Sequence, residues 1–141
     1  MQLELAQKIL AGTLAAARAK KFKSLAVAVL DARGALKAFA AEDGTSLKRA
    51  EIAGGKAHGS LAMGMGSRSI GNMAVERPHF VAAVTHVVGG GLVPVPGGVL
   101  VRDGSGTLLG AVGVSGDTSD NDEVAAVAGI EAAGLKADPG A

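Results

Sequence analysis

Apolar positions along the chain change their period several times, and each change marks an element. Over residues 2–20, Leu3, Ala6, Ile9, Leu10, Thr13, Leu14 and Ala17 recur at helical spacing, with Glu4, Lys8 and Arg18 placed elsewhere. That stripe predicts an amphipathic helix. Residues 25–31 (LAVAVLD) form a short, valine-rich apolar run. Ala32, Arg33 and Gly34 follow, and then residues 35–40 (ALKAFA). Two such runs around a glycine turn predict a hairpin. Ser46 is placed to cap a helix running to about Met63, with Ala50, Ala53, Gly54, Ala57 and Leu61 as its inner stripe. A shorter helix is expected at 67–75. Pro78 suits the first turn of another, through about Val87.

The segment 88–98 (VGGGLVPVPGG) predicts a loop with a short edge strand at Leu92–Val95, its prolines arguing against a central strand. GVLVRD and TLLGAVGVSG flank Gly104, Ser105 and Gly106 as a second hairpin. Asp117, Asp120, Asp122 and Glu123 precede or open a last helix that ends near Gly134. Acids there suit the exposed N–H groups of a helix start. The predicted order is α-β-β-α-α-α-β-β-β-α. Consecutive hairpins imply an α/β (α+β) architecture, with an antiparallel sheet and helices packed on it. No linker interrupts the pattern, so 1–141 is expected to be one domain.

Composition sharpens this picture. The chain has 141 residues, 48% apolar and 19% charged, which suits a packed globule. It has no cysteine, which removes disulfides, thiolate metal sites and cysteine nucleophiles. Net charge is +1. The local basic excess at Arg18, Lys20, Lys21 and Lys23 suits a helix end, where cations complement the dipole. Nucleic-acid sites usually add stacking aromatics, and this chain has three Phe, no Trp and no Tyr. No apolar run approaches the roughly 20 residues of a membrane span. Charges interrupt the N-terminal helix, unlike a signal peptide. A cytoplasmic protein that engages neither membrane nor nucleic acid is the expectation. The 22 glycines are not periodic. They imply turns and close backbone packing.

Taken in order, several of these segments resemble the GlcG/HbpS family, also seen as the C-terminal domain of PduO-type proteins. The resemblance covers nearly the whole chain. It is carried by Asp31–Gly34 (DARG), Asp43 with Gly44, Lys56 with Ala57, the Gly89–Gly91 and Pro94–Gly98 loop, Leu109–Gly116 (LGAVGVSG), and Asp122. It implies a profilin-like domain with a five-stranded antiparallel sheet, and a homo-oligomer built from dimers. It also implies haem as a ligand, under a family label of haem degradation. Other members accompany catabolic enzymes for small organic acids or diols. The chain departs from the family in its longer Gly/Pro-rich loop at 89–98 and its Gly- and Met-rich segment at 57–73, where a pocket would be built.

Candidate chemistry rests on few residues. Of three histidines, His58 lies on the second predicted helix, and His79 and His86 share a face of a later one. A neutral imidazole can ligate haem iron or act as a general base. His58 and His86 are the candidate iron ligands, and each can equally be a hydrogen-bonded or surface histidine. No His-x-x-x-His pair marks a zinc site. Met63, Met65 and Met73 can line a pocket or fill core gaps. Backbone N–H groups of Gly89, Gly90 and Gly91 can hold an anion, or cap the preceding helix. Arg68 and Lys56 are candidate anion contacts, and Glu42 or Asp43 a candidate base. Gly113–Gly116 lacks the full nucleophile-elbow pattern of a serine hydrolase.

Three functions follow as expectations. The first is a small-molecule binder, for haem or a small organic acid, using Lys56, His58, Arg68, His86 and Gly89–Gly91. The second is an enzyme without an organic cofactor, acting on a small carboxylic acid, with His58 or Glu42 moving a proton. The third is a structural or regulatory subunit.

Overall fold

The computed structural model describes residues 1–141. Its elements are α1 (Leu3–Ala19), β1 (Ala26–Asp31), β2 (Leu36–Ala41), α2 (Arg49–Met63), α3 (Ser67–Glu76), α4 (Pro78–Val87), β3 (Gly98–Arg102), β4 (Leu108–Ser115), α5 (Ser119–Ala132) and β5 (Lys136–Asp138). The five strands form one sheet in the order β2-β1-β4-β3-β5. Every neighbouring pair is antiparallel. The fold is α+β, as the pattern predicts.

Strand alternation sends the valines to one face and alanines, with Leu30 and Leu100, to the other. Val27, Val29, Val99, Val101, Val112 and Val114 join Ile9 of α1 and Ile130 of α5 in the main core. The other face carries Ala26, Ala28 and Ala111, against Ala53 and Ala57 of α2. Small residues let α2 lie close to the sheet. A Cβ on Gly113 would stand 1.8 Å from the Ala53 carbonyl oxygen. The two helices on the valine face are similarly close, since a Cβ on Gly129 would stand 2.0 Å from Thr13 Oγ1.

Both predicted hairpins form, and an aspartate organises each turn. Asp31 Oδ1 accepts the Arg33 and Ala35 N–H groups at 2.9 and 3.0 Å. Asp103 Oδ1 accepts those of Ser105 and Thr107 at 2.9 and 3.0 Å. This is the Asx-turn role of a short acidic side chain.

Two expectations need correction. The fifth strand is β5, not Leu92–Val95. Pro94 and Pro96 lack the N–H groups a ladder needs. Leu92 instead packs with Ile70 of α3 and Val81 of α4. β5 pairs with β3 through Leu100↔Asp138, Val101↔Ala137 and Arg102↔Lys136. Ser46 does not cap α2. The helix starts at Arg49 with Lys48 at the N-cap and no side-chain cap bond. The final helix is capped by Thr118, whose side chain accepts the Asn121 N–H at 3.2 Å. No helix is long and apolar enough to cross a membrane.

Candidate functional site

α2 lies across β4, β1 and β3 and leaves the outer strand β2 largely uncovered on that side. An open groove of about 440 Å³ results. Ala28 and Leu30 of β1 and Leu36 and Phe39 of β2 form its apolar side. Ala50, Gly54 and His58, spaced one turn apart on α2, form the other. Leu36 is 61% exposed and Phe39 41% exposed, unusual values for large apolar side chains on a strand. Their common direction comes from a β-bulge. Val29 pairs with Ala38 and Leu30 with Leu36, so Lys37 is an extra residue. The bulge turns Leu36 to the face of Phe39, which simple alternation would not.

His58 is one of two polar side chains that line this groove. Its Nδ1 lies 2.7 Å from the Gly91 carbonyl oxygen. A carbonyl can only accept, so Nδ1 carries the proton and the neutral ring keeps its lone pair on Nε2. Nε2 makes no hydrogen bond, and every buried side-chain N or O atom has a partner, so Nε2 is open to the groove. The Cδ2 edge of the ring faces the β1–β2 turn, where a Cβ on Gly34 would approach it to 3.8 Å. Gly91 is required close by, because a Cβ there would stand 2.6 Å from His58 Nδ1.

The other candidates lie elsewhere. Lys56 is on the buried side of α2, 2% exposed, and its Nζ donates to Asp122 Oδ2 at 3.1 Å and the Val114 carbonyl at 2.9 Å. The anion it contacts is part of the protein. Burial pushes the Lys56 ammonium down and the Asp122 carboxyl up, and their mutual attraction opposes both shifts. Asp122 Oδ1 also accepts the Asp117 N–H at 2.9 Å. This acid therefore joins α5 to α2 beyond any service to a helix dipole.

Arg68 donates from Nε to Glu123 at 3.0 Å and from Nη2 to Asp120, which ties α3 to α5. Gly89 and Gly90 donate their N–H groups to the carbonyls of His86 and Thr85 at 3.1 and 2.8 Å. With φ of 80° and 91° they close the end of α4, the capping alternative for this loop. Of the three glycines only Gly91 touches a groove residue, its carbonyl meeting His58, and none of them lines the groove. His86 and His79 are exposed on α4, away from the groove lining. Glu42 accepts the Leu25 N–H at 2.8 Å and pairs with Arg18 at 2.9 Å. Of the two candidate proton carriers, only His58 lines the groove. A second titratable group does stand there, Glu51, at the exposed start of α2. Sequence reasoning missed Glu51, Leu36 and Phe39. The available signal was two large apolar residues in a strand otherwise built from alanine and lysine.

Three comparisons with known proteins bear on the chain as a whole. The sequence profile of the HbpS-like family, described as haem degrading protein HbpS-like, matches residues 1–131. No curated protein sequence matches. Among solved structures, PduOC in complex with haem has a TM-score of 0.84 at 20% identity, covering 96% of each chain. HbpS has a TM-score of 0.78 at 25% identity, covering 92% of this chain and 86% of that one. The Klebsiella pneumoniae protein ORFY has a TM-score of 0.83 at 20% identity, covering 95% and 90%. The chain belongs to the HbpS-like family.

Proposed function

From membership of the HbpS-like family and the state of one imidazole, we propose that this chain binds haem in the groove between α2 and the β1–β2 hairpin. The observation that carries the proposal is the tether from His58 Nδ1 to the Gly91 carbonyl, which leaves Nε2 bare beside an apolar wall. Haem supplies an iron centre that takes a neutral imidazole nitrogen as axial ligand. The structure of PduOC with haem is that of a relative of the same fold.

The residues present fit such a group. The Gly91 carbonyl fixes the tautomer and ring plane of His58, the usual role of a ligand's outer partner. Ala28, Leu30, Leu36 and Phe39 would offer such a group an apolar surface. Arg33 sits in the turn next to the groove residue Gly34, 84% exposed with a single carboxylate partner, Asp31 at 3.2 Å. It is the cation suited to a propionate.

Titrating hemin into the protein and following absorbance tests this. A saturable, one-site Soret shift is expected, lost in His58→Ala and kept in His86→Ala. Non-saturating binding, or binding equal in wild type and His58→Ala, would overturn it.

A further inference from the structure

A second cavity, of about 490 Å³, opens at the opposite end of β1 from the haem groove. The chain entering β1 contributes Lys23 and Ser24, and the loop from β2 to α2 contributes Gly44, Thr45 and Ser46. Arg49, the first residue of α2, and Gly116, just after β4, complete it. No apolar side chain and no carboxylate lines this cavity.

Neither of its two cations forms an ion pair, though the charge of Lys23 is felt by Asp117 beside it. The half-buried Arg49 guanidinium makes one side-chain hydrogen bond, from Nη1 to the neutral Ser115 hydroxyl at 3.1 Å. No carboxylate pairs with Arg49 or Lys23 within the ion-pair limit of 4.0 Å. The guanidinium carries five donors in all. Those left over are not buried, because every buried side-chain N or O atom has a partner.

Two of the acids nearby are engaged with other groups, while Asp43, beside the lining residue Gly44, is exposed and forms no ion pair. Glu42 is held by Arg18 and the Leu25 N–H. Asp117 accepts the N–H groups of Lys23 and Thr118, each at 2.7 Å, and the Asn121 side chain at 2.8 Å. Three hydroxyls, on Ser24, Thr45 and Ser46, add donors that can rotate toward a guest. α2 also begins at this wall without a side-chain cap, and helix starts carry partial positive charge.

An apolar guest would strip water from this lining and return no hydrogen bonds. A monocarboxylate would balance one of the two charges. A dianion with several acceptor oxygens answers both the charge and the donors. We propose that this cavity is a binding site for a phosphate group, as inorganic phosphate or as the monoester of a small metabolite. The inference stands on Arg49, Lys23 and the hydroxyl lining, and holds whether or not the α2 groove takes haem.

Calorimetric titration of the full chain with inorganic phosphate and with methyl phosphate, against sodium chloride of equal ionic strength, tests the site. Saturable binding of either phosphate is expected, and which of the two binds tighter identifies the source of the group. Arg49→Gln should raise Kd at least about tenfold, the scale of one charge-assisted contact. Lys23→Gln should weaken binding in the same direction, and its ammonium takes no part in an ion pair, so folding is preserved. Lys8→Gln, an equal loss of charge on exposed α1, should leave Kd unchanged. Absence of saturable phosphate binding, or equal weakening by Lys8→Gln and Lys23→Gln, would overturn the proposal.

Discussion

Replacing Lys56 with methionine removes one charge from a pair with no access to water. Lys56 is 2% exposed and Asp122 1% exposed, with 3.1 Å between Nζ and Oδ2. Methionine preserves the length and apolar stem of lysine, so packing changes little. The cost comes from the carboxylate left behind. Asp122 keeps the Asp117 N–H on Oδ1, while Oδ2 loses its cation. Removing one partner of a buried pair costs about 3–5 kcal/mol. The Val114 carbonyl loses its lysine donor in the same step, so the upper half of that range is expected. For a chain of this size the loss corresponds to a fall in Tm of roughly 10–20 °C. Urea unfolding should be followed by far-ultraviolet circular dichroism, since the chain has neither Trp nor Tyr to report by fluorescence. Lys56→Met combined with Asp122→Leu should recover most of the loss, because two apolar residues replace a buried pair at little cost. Recovery should stop short of complete, because the Asp117 N–H is then unpaired, a penalty of about 1–3 kcal/mol. A single Lys56→Met variant within about 1 kcal/mol of wild type would refute this account of the pair.

Other expectations follow from single contacts. The Asp117 carboxyl is held at about 2, below its ordinary 3.8, chiefly by the Lys23 N–H and then by Thr118 and Asn121. Its folded value is the lower one, so its contribution is present above pH 3.8 and lost as pH falls toward 2. Allowing for solvent screening, it is worth on the order of 1 kcal/mol. Asp117→Asn should flatten the pH dependence of the urea midpoint in that window, and an unchanged slope would contradict the assignment. Gly91→Ala places a methyl 2.6 Å from His58 Nδ1 and should displace the ring. Hemin affinity should then fall about tenfold with unfolding free energy shifted by less than about 1 kcal/mol. Undiminished affinity would show that Gly91 does not position His58. Gly129→Ala sets a methyl 2.0 Å from Thr13 Oγ1 and 2.7 Å from Thr13 N, forcing α1 and α5 apart. A loss of about 1–3 kcal/mol is expected in urea unfolding, and a neutral result would contradict the close helix crossing.

The strands were readable as short apolar runs, but the alternation of Ala with Val in β1, and of Gly and Ala with Val in β4, takes its meaning from the two faces of the sheet. It encodes a thick core face and a thin face for α2. The hairpins were readable too, since an aspartate and a glycine mark each turn locally. β5 was not. It has three residues, two of them charged, and no period from which to infer a strand. Its pairing with β3 depends on α5 returning the chain to that edge. The groove escaped for a related reason, because the extra residue at Lys37 breaks the two-residue period that would place Leu36 with Phe39. Lys56 and Arg68 stood out as cations among small residues, which is a sound signal of an anion nearby. Their partners are Asp122 and Glu123, 66 and 55 positions away, and only tertiary packing brings them together. His58 stood out as well, yet the proton position that defines its chemistry comes from a carbonyl 33 positions distant.

That proton position leads to the most direct measurement. Absorption and electron paramagnetic resonance spectra of the hemin complex should be recorded for wild type, His58→Ala, and His58→Ala with added imidazole. The account predicts a nitrogen-ligated spectrum in wild type, its loss in His58→Ala, and its return when free imidazole fills the place left by the ring. A His58→Ala complex with the wild-type spectrum would contradict ligation through Nε2.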